Sequence, residues 1–174
     1  MAVSAPQFLF GCRVPLAPAG PERVRQEVLA DLGVRALLGR SSRFFTELYA
    51  EGLVKNDFDA DLSVIKNSAA FLAGGESADP DAVLARYAGA WRSVAENGLD
   101  EALFTRVRHA AYGDAVRALG VFSTLCFDLA RCHIAGYTPF DRFALLESVT
   151  AGETAAFLRE RLDPERMALS IVSP

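Results

Sequence analysis

The sequence predicts an α+β fold in which an antiparallel-rich sheet carries helices packed on one face. Three observations predict it. Residues 57–64 alternate Asp57, Asp59, Asp61 and Ser63 with Phe58, Ala60, Leu62 and Val64, the period-2 pattern of a half-buried strand. Residues 79–162 instead space their apolar side chains three and four apart, as helices do. The helical stretches are also grouped between strands instead of alternating with them, which separates α+β from parallel α/β.

The first element is the apolar run Phe8-Leu9-Phe10-Gly11-Cys12-Arg13-Val14, consistent with a buried strand. A Pro/Gly/Ala-rich loop follows, and Pro21 suits the first position of a helix, where its missing N–H would have no partner. That helix carries Val24, Val28 and Leu32 in one row with Leu29, Leu37 and Leu38 beside it, and Gly39 can close it. Gly33 inside it costs about 1 kcal/mol against Ala.

Ser41 or Ser42 can cap the next, shorter helix by accepting from its free N–H groups. Phe44, Phe45, Leu48 and Tyr49 make one apolar stripe on it, and Gly52 ends it. The alternating strand at 57–64 then leads through a turn at Lys66-Asn67-Ser68 into a second strand at residues 69–73, a hairpin. Gly74-Gly75-Glu76-Ser77 reads as its exit loop.

Asp79-Pro80-Asp81 is a capped helix start, with Leu84, Tyr87, Trp91 and Val94 at helical spacing up to Gly98. Asp100-Glu101 opens another helix bearing Leu103, Phe104, Val107 and Ala111, which Gly113 and Gly120 interrupt or end. Val121, Phe122, Leu125, Leu129 and Cys132 form a further apolar stripe, closed by Gly136. Thr138 reads as an N-cap with Asp141 at N3, and Thr150 with Glu153 as a capping box. Asp163-Pro164 stops the last helix, and residues 167–172 form a closing strand. The sum is four strands and five or six helices, with no repeat and no linker, so residues 1–174 read as a single domain.

Composition narrows the function. Half of the residues are hydrophobic (51%), as a packed globule requires. A formal charge of −4 leaves no basic footprint for nucleic acid. No apolar run approaches the ~20 residues of a membrane span, and the N-terminus lacks the charged and apolar regions of a signal peptide. Cys12, Cys126 and Cys132 are too few and too scattered for a disulfide scaffold. Reduced thiols in the cytoplasm are the expectation.

Chemical motifs are wanting. There is no Walker A loop, no dinucleotide fingerprint and no G-x-S-x-G elbow. Asp57, Asp59 and Asp61 could attract a cation, but the calcium-loop template needs Gly and Glu where Leu62 and Ser68 stand. They read as a solvated strand face. His109 and His133 are the only histidines, and neither H-E-x-x-H nor H-x-x-E-H occurs. Cys132 and His133 would point about 100° apart on a helix. No catalytic, cofactor-binding or metal-ligating residue is assigned, and no bound zinc is expected in this chain.

G-R-S-S-R-F-F-T-E-L-Y-A-E-G-L-V (from Gly39), the strand at Phe58 and A-G-G-E-S-A-D-P together resemble the second half-domain of insulinase/pitrilysin-type zinc peptidases. F-T-R-V-R-H-A-A-Y-G-D-A-V-R-A-L and the terminal E-R-M-A-L-S-I-V-S-P extend the resemblance from Phe8 to Pro174. The closest look is to bacterial two-half, insulinase-like proteins. The resemblance implies an α+β half-domain that supplies no zinc ligand and closes over a peptide substrate. Zinc would sit in a partner first half bearing H-x-x-E-H. Active members usually place an Arg after the Leu of the S-R-[LF]-F-x-x-L helix and a Tyr shortly after the Gly-Leu, against the substrate carbonyl. Here Tyr49 occupies the first position, and Val54, Lys55 and Asn56 hold no Tyr.

The expected function is therefore a non-catalytic half of an insulinase-like metallopeptidase or inactive homologue. It would form part of the substrate chamber and the interface with the zinc-bearing half. The alternative is a structural assembly subunit of the same fold with no peptidase role.

Overall fold

The computed structural model describes residues 6–65 and 67–173. Its four strands are β1 (Gln7–Val14), β2 (Asp59–Ile65), β3 (Ser68–Glu76) and β4 (Ala168–Val172). They form one antiparallel sheet in the order β2-β3-β1-β4. The first and last strands of the chain thus pair with each other, and β2 lies at one edge. Lys66, in the expected hairpin turn, falls outside the described residues.

Seven helices are present among the described residues: α1 (Pro21–Leu38), α2 (Arg43–Ala50), α3 (Pro80–Asn97), α4 (Glu101–Leu119), α5 (Phe122–Ile134), α6 (Asp141–Ser148) and α7 (Ala151–Arg161). β1 shows which face they cover. Phe8, Phe10, Cys12 and Val14 are buried, while Leu9 and Arg13 between them are not. The fold is α+β, with one sheet face in the core and the other open.

α1 is the central helix because two apolar clusters meet on it. Val34, Leu37 and Leu38 pack toward the sheet with Phe10, Phe71 and Tyr87. Val24, Val28, Leu32 and Ala36 pack away from it with Phe104, Cys132, Leu146 and Val149. A helix wedged between two clusters is apolar on two sides, which explains its dense Leu and Val content. Gly33 has a packing reason as well: a Cβ there would lie 2.9 Å from a methyl of Leu158, so the glycine lets α7 approach.

Local signals act where their chemistry says. Ser42, not Ser41, caps α2 and accepts from the Phe45 N–H at 3.1 Å. Asp79 and Asp100 cap α3 and α4, and Thr150 with Glu153 forms a complete capping box. The Phe44, Phe45 and Leu48 stripe is buried, and Tyr49 is exposed.

Several expectations are corrected. β3 runs on to Glu76, so Gly74 and Gly75 are strand and not exit loop. A Cβ at Gly74 would meet the Phe8 carbonyl oxygen at 2.3 Å, and one at Gly75 would meet the Phe58 Cα at 2.9 Å. The glycines serve close backbone approach. α4 passes through Gly113 without interruption. Thr138 is not an N-cap: α6 begins at Asp141, whose carboxylate accepts from the Thr138 N–H at 2.7 Å and its hydroxyl at 2.9 Å. The stripe on α5 is not core either, because only its Cys132 is buried. α4, α6 and α1 already close the cluster that Cys132 enters, and among the described residues the rest of the stripe stays exposed or half-buried.

Candidate functional site

The segment after α2 carries the positions that the family resemblance singles out. Gly52 turns the chain with φ +74°, and Val54 is buried in the sheet-side core. Lys55 and Asn56 are exposed at the foot of β2. Tyr49 stacks on Phe45 with ring centroids 5.7 Å apart. Lys55 Nζ lies 2.8 Å from Glu76 Oε2, and the Glu76 N–H donates to Asp57 Oδ2 at 2.8 Å. These residues line a shallow, open depression. The structure thus gathers Tyr49 and Lys55 at one place, but holds the Lys55 ammonium in an ion pair.

Asn56 and Asp57 also belong to a groove of about 620 Å³. Nine consecutive residues, 56–64, line it. Since successive strand side chains point to opposite faces, an unbroken run can line a cavity only along the strand's edge. β2 is an edge strand, so its outward N–H and C=O groups look into this groove.

The opposite wall is one face of α1: Glu27, Asp31, Val34, Arg35 and Leu38. Their spacing of four, three, one and three puts them on one helical side. Both carboxylates are matched by arginines from distant elements. Arg131 Nη1 lies 2.9 Å from Glu27, which also accepts from the Tyr137 hydroxyl at 2.5 Å. Arg35 and Arg142 flank Asp31 at 2.6 and 3.3 Å, and Arg35 continues to Asp114 at 2.7 Å. The Arg142 Nε is buried with no hydrogen-bond partner among the described residues.

The helix wall is therefore internally neutralised, whereas Asp57, Asp59 and Asp61 along the strand have no cation within ion-pair distance among the described pairs. Burial, and after it the Asp59 charge, push the Asp61 carboxyl above its ordinary value. What the groove offers is the edge of β2, an apolar floor from Phe45, Phe58 and Leu38, an acidic rim along the strand, and the Arg40 guanidinium, which donates to the Asn56 carbonyl at 2.7 Å and lies over the Phe45 ring. His109 and His133 are both exposed and lie on different helices, α4 and α5.

Sequence reasoning placed Asp57, Asp59 and Asp61 on a wet strand face but did not find the groove. The spacing Glu27-x-x-x-Asp31-x-x-x-Arg35 was a readable signal for a charged stripe on α1. The partners Arg131 and Arg142, over a hundred residues away, had none.

No family model and no curated protein sequence matches the chain. Solved structures do. A protein of Alicyclobacillus acidocaldarius, described as an M16-like peptidase, superposes with TM-score 0.93 at 26% identity, over 100% of this chain and 42% of its own. The chain described as the inactive peptidase domain of a zinc protease from Bordetella parapertussis gives 0.79 at 13%, over 100% and 93%. The chain has the fold of an M16-type, insulinase-like half-domain. A third match, at TM-score 0.77 and 10% identity, is a chain of Complex III2 from Candida albicans, of which the M16-like half-domain spans 44%. The half-domain thus spans less than half the length of the Alicyclobacillus and Candida chains and nearly all of the Bordetella one.

Proposed function

We propose that this M16-like half-domain is the non-catalytic half of an insulinase-like peptidase or inactive homologue. It works beside a zinc-bearing half, encloses part of the substrate chamber, and holds an extended peptide along β2. The observation that carries the reading is the groove that follows the β2 edge residue by residue. A peptide entering it adds a strand, its main chain pairing with β2 and alternate side chains reaching the apolar floor. The acidic rim favours a peptide with Lys or Arg beside the paired stretch. The free thiols support a reducing compartment such as the cytoplasm. Among the described residues no helix is long and apolar enough to cross a membrane.

Titration of labelled basic peptides against the chain tests the reading. Each backbone hydrogen bond lost is worth about 0.5–1.5 kcal/mol, so N-methylating alternate residues on the paired edge should weaken binding about tenfold or more. Binding indifferent to N-methylation would refute strand addition. The assembly-subunit alternative draws on the Complex III2 likeness, and predicts no peptide binding at all.

A further inference from the structure

Arg40 stands apart from the other arginines of the β2 groove. Arg35, Arg131 and Arg142 each face a carboxylate. Arg40 is exposed just beyond the end of α1 and has no carboxylate within ion-pair distance among the described residues. Its guanidinium is nevertheless fixed. Nη1 donates to Asn56 Oδ1 at 3.1 Å and Nη2 to the Asn56 carbonyl at 2.7 Å, and the group lies over the Phe45 ring, 5.6 Å from its centroid. A guanidinium carries five N–H donors in a planar fork, and Asn56 takes two of them. The Nε–H and one hydrogen on each Nη remain, held in a set plane, for a second acceptor. The acceptor that matches both the charge and the fork is a carboxylate.

The place of Arg40 says which carboxylate it receives. Asn56 precedes β2, so Arg40 closes the groove at the end where the strand's edge begins. Beyond it the rim is acidic. Asp59 and Asp61 pair with Gly74 and Leu72, whose other neighbours are Leu9 and Gly11, so both lie on the open face of the sheet, away from α1. Asp57 is turned to the Glu76 N–H. An acidic side chain along this rim would meet like charge, but a carboxylate at its end meets Arg40. Given strand addition along β2, on which this rests, we infer that the groove selects the free C-terminal end of a peptide. The terminal carboxylate pairs with Arg40 and the chain runs back along β2, antiparallel to it. The reverse direction would set an N-terminal ammonium against the guanidinium. Opposed residues of an antiparallel pair share a face of the sheet. With the last residue facing Phe58, its side chain turns to the floor of Phe45 and Leu38. The residues one and three positions earlier then face Asp59 and Asp61. The ligand class is a peptide ending in basic, any, basic and apolar residues with a free carboxylate.

Fluorescence anisotropy tests it with a labelled, N-acetylated peptide ending in Lys-Ala-Lys-Leu, as the free acid and as the C-terminal amide. The parent chain should bind the acid at least about tenfold more tightly than the amide, the scale of a hydrogen-bonded charge pair. Arg40→Gln should bind acid and amide alike. Arg40→Lys, which keeps the charge without the fork, should recover only part of the preference. Arg40 is exposed, so circular dichroism should show unchanged folding in both variants. Equal affinity of the parent for acid and amide overturns carboxylate capture, and strand addition outlives it if N-methylation still weakens both peptides. A preference for the acid that persists in Arg40→Gln overturns the assignment to Arg40. If neither peptide binds, the inference falls together with strand addition.

Discussion

Asp61 shows how a single residue reports on the groove. Its carboxyl is pushed up by burial first and by Asp59 second, so the folded chain favours the neutral form more than the unfolded chain does. A group raised in this way destabilises only when ionised: the effect is absent below its unfolded value near pH 4 and sets in as the pH rises through it. Asp61→Asn should accordingly raise stability at pH 7 and leave it unchanged near pH 3. The gain should stay within about 0.5 kcal/mol, the scale of an exposed position. Thermal melts at the two pH values check it, and a gain at pH 3 or a loss at pH 7 contradicts it. Tyr87 is the opposite case, a fully buried phenol whose hydroxyl donates to the Leu162 carbonyl at 2.5 Å. Burial pushes its ionisation well above the usual range, so it ties α3 to the end of α7 at any ordinary pH.

At the scale of elements, α2 is the smallest helix with a decisive role, because it carries the chain from α1 to the groove. Phe44 and Phe45 pack against Phe58 with centroids 5.8 and 6.3 Å apart, and Leu48 is buried beside them. Truncating any of the three to Ala should cost about 2–5 kcal/mol through the cavity left behind. Tyr49→Ala should fall within about 0.5 kcal/mol, since its ring rests on Phe45 in the open. Urea melts separate the two groups, and a neutral Phe45→Ala would remove α2 from the core. The stripe was legible in the sequence because burial on one side of a short helix leaves a periodic trace. Gly74 and Gly75 were misread for the converse reason: glycine marks both a turn and a close approach, and only the neighbouring backbone distinguishes them. The α5 stripe was misread in another way. Helical periodicity shows that a face is apolar, not whether its own chain covers it.

At the scale of the whole molecule, the strand order sets β1 between β3 and β4, pairing strands from widely separated parts of the sequence. The groove is formed by residues from 27 to 142, and that convergence leaves no local signature. The same scale governs catalysis. If a zinc-bearing half is supplied, hydrolysis needs donors aimed at the oxyanion that develops on the scissile carbonyl, each commonly worth about 10²–10³ in rate. The resemblance assigns that task to an Arg and a Tyr of the second half. Tyr49 stands where the Arg would be, and its ring is committed to Phe45. Two cations lie near the position of the missing Tyr, but Glu76 holds Lys55 at 2.8 Å, and an ammonium lacks the planar fork of Arg; Arg40 donates to the Asn56 carbonyl at 2.7 Å. Reconstituted protein should therefore cleave peptides about 10²–10³-fold more slowly than a homologue retaining both residues. Tyr49→Ala and Lys55→Ala should change that residual rate by less than about twofold, within the usual scale of exposed sites. A peptide-cleavage assay on the reassembled halves decides the matter, and robust turnover that collapses in either variant would show that this half does supply the oxyanion donors.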